Sequence, residues 1–91
     1  MQVKYTKHFL NRLEDLMSET DYVLRYEKGT FQSGYCILRD TKVAIINKYY
    51  SIDGKINSLV EIIRSIEFDK SRLSEKNESL FIEITQTQLE F

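Results

Sequence analysis

Bond-breaking chemistry at neutral pH needs a nucleophile or a proton carrier, and the chain holds one residue of each obvious kind, Cys36 and His8. A cysteine–histidine pair works only when the imidazole can reach the thiol proton. Local patterning separates the two. His8 stands beside Lys7 in the first turn of a predicted helix, facing solvent. Cys36 falls in a predicted strand on the same face as Leu38, where a free cysteine behaves as a small buried hydrophobe. Zinc requires three or four gathered ligands, and one His, one Cys and no clustered carboxylates do not supply them. The sequence thus yields no catalytic residues, no metal ligands and no cofactor motif, and it leans away from an enzyme.

The segment Lys28-Gly29-Thr30-Phe31-Gln32-Ser33-Gly34 is the most suggestive place for a ligand. Two glycines can bring backbone N–H groups close to a small molecule, a lysine can meet an anion, and an aromatic ring can stack. The candidate binding set is Lys28, Gly29, Phe31, Gly34 and Tyr35, with Asn47 nearby. The segment lacks the G-x-x-x-x-G-K-[ST] spacing of a phosphate loop and no helix follows it. The plainer reading is a strand connection whose Phe31 folds onto the edge of the core. A third reading places Tyr26, Tyr35, Tyr49 and Tyr50 with Arg25, Lys28, Arg39 and Lys48 as a stacking platform for single-stranded nucleic acid. Glu27 and Asp40 interrupt it, and 13 basic against 14 acidic residues leave no attracting field, so nucleic acid is not the expected partner.

The elements that position these residues follow from periodicity. In Asp53–Ile66 and just before it, Ile52, Ile56, Leu59, Val60, Ile63 and Ile66 recur at spacings of three and four, the stripe of an amphipathic helix. Thr6 to Ser18 reads as another helix, with Thr6 as N-cap and Phe9, Leu10, Leu13, Leu16 and Met17 inward. Between them, Tyr22–Glu27 alternates as a half-buried strand. Tyr35–Arg39 and Lys42–Lys48 form two more strands, joined through Asp40-Thr41 as an antiparallel hairpin. Val43-Ala44-Ile45-Ile46 is apolar on both faces, so either the monomer covers both sides of that strand or one side meets a second copy. After a polar break at Glu67–Ser71, Ser74 caps a third helix with Leu80, Phe81 and Ile84 inward. Alternation of Leu80, Ile82 and Ile84 also permits a strand there.

The run from Gly34 to Asn47, a loop, and a helix holding Leu59-Val60-Glu61-Ile62 resemble the core of the ImmA/IrrE-type metallopeptidases, in which a strand pair ending in Asn precedes a helix with H-E-x-x-H. Glu61 matches that family's general base. Val60 and Arg64 stand where its zinc-binding histidines belong, so the resemblance implies a scaffold without the chemistry. Arg25-Tyr26-Glu27-Lys28-Gly29-Thr30-Phe31-Gln32-Ser33-Gly34-Tyr35-Cys36 and the Val43 to Lys48 stretch are also similar to a family of short uncharacterised proteins of Bacteroidetes-type bacteria, from which no function carries over.

Ninety-one residues, 42 % of them hydrophobic, suit one domain over residues 1–91. The expected fold is α+β: a helix, a three-stranded antiparallel meander and two helices. No apolar run exceeds four residues, far short of the roughly 20 that span a bilayer, and the start has no secretory signal pattern, so the cytoplasm is expected. The expected function is a non-enzymatic interaction or structural module, a homodimer or the partner of another protein.

Overall fold

The structure is a computed structural model and describes residues 4–38 and 40–86, the side chains of Ile37 and Leu38 excepted. Helix α1 (Lys7–Ser18) leads into strands β1 (Tyr22–Glu27), β2 (Gly34–Leu38) and β3 (Thr41–Asn47), and then helix α2 (Ile52–Ser65), a 3₁₀ turn (Lys70–Arg72) and helix α3 (Glu75–Gln86). Arg39, expected as the end of the second strand, lies outside the described residues.

Caps set the helix starts. Thr6 Oγ1 accepts from Phe9 N at 3.1 Å, Ser51 Oγ from Gly54 N at 3.3 Å, and Ser74 Oγ from Asn77 N at 3.3 Å. With no acidic residue in its first turn and no basic residue in its last, α1 takes nothing from its dipole. Packing of Phe9, Leu10, Leu13, Leu16 and Met17 holds it instead. The Leu80–Thr85 segment is helical. Leu80 and Ile84 are buried, while Phe81 is half-buried and stands edge-on to Phe68 at 5.5 Å.

The sheet departs from the expected meander. Its order is β1-β3-β2, with β1 parallel to β3 and β2 antiparallel to β3. A meander would put β2 in the centre and leave the most apolar strand, β3, as an edge with unpaired backbone. Here the connection after β1 carries the chain past β3's place, and β3 inserts between its neighbours, where both sides of its backbone are bonded. The parallel pairing is pinned at both ends. Lys42 Nζ donates to Asp21 Oδ2 at 2.8 Å at one end, and Lys48 N donates to Glu27 O at 2.8 Å at the other. That pairing holds the Asp21 carboxyl below its ordinary range and raises Lys42 above its own.

All three α-helices lie on one side. Tyr22, Ala44 and Ile46 face them, and one buried cluster joins these residues to α1, α2 and α3. On α2, Ile56, Leu59, Val60, Ile63 and Ile66 are buried as the stripe predicts. Ile52, the first helical residue after the cap, is 39 % exposed, and Ile62 takes its place in the core. A polar joint docks α3 on α1: buried Asn77 donates from Nδ2 to Asp15 Oδ2 at 3.0 Å, and Glu19 Oε1 accepts from Ser74 N at 2.8 Å. The Ser74 bond is the main reason the Glu19 carboxyl titrates below its ordinary value. Among the described residues no helix is long and apolar enough to cross a membrane.

Candidate functional site

The face of α2 opposite its apolar stripe presents Asn57, Ser58, Glu61 and Ser65 at spacings of three and four, short or polar side chains that leave room beside the sheet. Across from them run Gln32 and Ser33 and the first residues of β2, Gly34 and Tyr35. Between the two lies a cleft of about 460 Å³, whose lining also takes in Ile62 and Tyr50. The Tyr5 hydroxyl donates to Asn57 Oδ1 at 2.8 Å, tying the chain before α1 to the same helix face. Tyr35 is 45 % exposed and leans edge-on against Tyr22 at 6.1 Å between ring centroids. Glu61 is the one ionised side chain among the lining residues.

One wall of this cleft is a sheet edge. Among the described residues strand β2 pairs with β3 alone, so the backbone groups of its other side have no strand partner there. The sequence of β2, Gly-Tyr-Cys-Ile-Leu, contains no charge and no proline. The opposite edge, β1, carries Arg25 and Glu27, paired at 2.8 Å.

Of the six candidate ligand residues, Gly34 and Tyr35 line the cleft and Lys28, Gly29, Phe31 and Asn47 do not. Asn47 is buried and holds the connection after β1 in place. Its Nδ2 donates to Gly29 O at 3.0 Å and to Phe31 O at 2.8 Å, its Oδ1 accepts from Tyr49 N, and its backbone N donates to Ser33 Oγ at 2.9 Å. Gly29 has φ +156°, and a Cβ there would stand 2.8 Å from the Phe31 ring, so Gly29 and Phe31 fit each other. Lys28 is exposed. The α2 face is the half of the cleft that sequence reasoning missed. Its signal, small polar residues at helical spacing, is the same as that of any solvated helix surface.

The other constellations stay apart. Cys36 is half-buried and registers with Val43, on the sheet face turned away from the helices, whereas His8 is exposed on α1, on the helix side. No group of three or more His, Cys, Asp or Glu side chains gathers among the described residues. The tyrosines and cations of the stacking platform are dispersed. The Tyr26 hydroxyl donates to Glu14 Oε2 on the helix side, Tyr49 is 70 % exposed, and Arg25 pairs with Glu27. Arg39 lies outside the described residues. Burial, with the bond to Glu14 second, raises the Tyr26 phenol well above its ordinary value.

At the positions where the metallopeptidase resemblance would need histidines, Val60 is 5 % exposed within the core, and Arg64 donates from Nε and Nη2 to Ile84 O at 3.0 and 2.8 Å. Glu61, between them, faces the cleft. No protein-family model, curated protein or solved structure matches the chain.

Proposed function

We propose that the chain is a small non-enzymatic interaction module that captures an extended peptide segment by strand addition to β2. The observation that carries this reading is the uncharged, unpaired edge of β2 lying beside the cleft. Main-chain hydrogen bonds to such an edge supply affinity, and side chains on alternate residues of the added strand enter whatever pocket lies next to it. Edges without charge, proline or a bulge invite this pairing, and the contrast with the charged β1 edge favours β2 as the docking side. The test is selection of random nine-residue peptides displayed on phage, followed by synthesis of the winners. Expected are peptides that lose binding when alternate backbone nitrogens are methylated, and that slow amide exchange along residues 34–38. Binding indifferent to N-methylation, or protection confined to the helices, would defeat the reading.

Self-association is the second reading, favoured by a different surface. On the sheet face away from the helices, Val23 is 51 % exposed and registers with Val43, and Val43 registers in turn with Cys36. Val43 is buried but does not belong to the main core cluster. A second copy covering this face would shield Val23 while leaving β2's edge and the cleft open. Light scattering across a concentration series tests it.

A further inference from the structure

Glu61 lines the cleft from α2, one helical turn after Asn57 and one before Ser65. Neither neighbour brings it a positive charge. Asn57 Oδ1 is engaged by the Tyr5 hydroxyl, and Ser65 Oγ donates to the Glu61 main-chain carbonyl at 2.7 Å. Arg64, the cation next to it along the helix, is turned to Ile84 O by two hydrogen bonds. The ion pairs of the described residues engage Arg25, Lys42 and Lys76, each with another acid. The cleft therefore holds one carboxylate with no cation of the described chain paired to it, in a lining otherwise uncharged.

We infer that the segment docking on β2 carries a lysine or arginine whose cation pairs with Glu61. This rests on the strand-addition reading. In an added strand every second side chain projects to the helix side, as Tyr35 does on β2, and so enters the cleft toward α2. The long stem of Lys or Arg lies along the Tyr35 ring and Ile62 and delivers its charge to the more exposed Glu61, apolar body against apolar wall and head toward water. An ion pair in such a half-open place is worth a moderate preference, about three- to tenfold in affinity.

The test uses the phage-selected nine-residue peptides and the full chain, wild type and Glu61→Gln. That isosteric change at an exposed position keeps the fold, checked by the thermal melt followed by circular dichroism. Expected on wild type is enrichment of Lys or Arg at one position of the helix-side set, and about three- to tenfold weaker binding when that residue becomes norleucine. On Glu61→Gln the norleucine penalty should vanish, and on Glu61→Lys the preference should turn to Asp or Glu. Peptides that need their backbone N–H groups yet show no basic preference, or a preference unchanged in Glu61→Gln, overturn the inference and leave strand addition standing. A selection that returns no peptide sensitive to N-methylation overturns both.

Discussion

Asn47 engages both polar atoms of its side chain within the molecule, and Gly29 O and Phe31 O face its amide while Tyr49 N faces its carbonyl. Removing that amide strands two part-buried carbonyls, a penalty larger than the loss of an ordinary exposed bond. Asn47→Ala should therefore lower the unfolding free energy by about 2 to 3 kcal/mol, read from urea midpoints at unchanged slope. Gly29→Ala should cost about 1 to 3 kcal/mol for its backbone conformation, and Phe31→Ala in the same background should recover part of the loss by removing the ring that the new Cβ meets. From sequence, an Asn at a strand end beside a Gly-rich segment reads equally well as a ligand contact or a staple for its own chain. The chemistry of a carboxamide is the same in both, and only the position of Gly29 O and Phe31 O decides it. Tyr26 gives a pH prediction. Its phenol is raised in the folded state, so its contribution is complete below the ordinary phenol pKa of about 10 and fades as pH climbs above that value. Between pH 9 and 11.5 the urea midpoint of wild type should fall more steeply than that of Tyr26→Phe. Parallel curves would show that folding does not raise the phenol, whether through burial or through the bond to Glu14.

At the scale of elements, what periodicity could reach is local. The stripe of α2, the Thr6 cap and the hairpin between β2 and β3 are decided by residues within a few positions of one another, and the structure has them. Strand order is a long-range property: β1 and β3 pair across the whole of β2, with Tyr22 in register with Lys42, and no local spacing reports that. One clue was present, since Val43 to Ile46 is apolar on both faces and such strands belong in the middle of a sheet. The same logic explains half of the cleft. Gly34 and Tyr35 stood out because glycine and tyrosine are conspicuous, whereas Asn57, Ser58, Glu61 and Ser65 acquire meaning only because β2 is the edge that α2 overhangs. The α2 stripe itself yields a graded prediction. Leu59→Ala and Ile63→Ala empty fully buried sites and should each cost about 2 to 5 kcal/mol, while Ile52→Ala, at a 39 % exposed position, should cost under about 1 kcal/mol. Chemical denaturation of the three variants side by side checks the order.

The whole molecule is one-sided: helices cover one face of a three-stranded sheet and, among the described residues, none covers the other. Its radius of gyration, 12.7 Å, is close to the roughly 12 Å of a compact chain of this length. Three strands about 4.8 Å apart and about 20 Å long offer on the order of 300 Å², well under the roughly 800 Å² per partner of a stable interface. Self-association through Val23 and Val43 should consequently be weak. The apparent mass in light scattering should rise toward twice the monomer only at tens to hundreds of micromolar, and Val23→Lys should hold it at the monomer value while leaving the thermal melt in place, because Val23 is half-exposed already. That variant also separates the two surfaces. The cleft opens between β2's edge and α2, on the helix side, so a peptide selected on wild type should bind Val23→Lys with equal affinity. If its affinity drops together with the dimer, strand addition and self-association share one surface and the two readings collapse into a single interface.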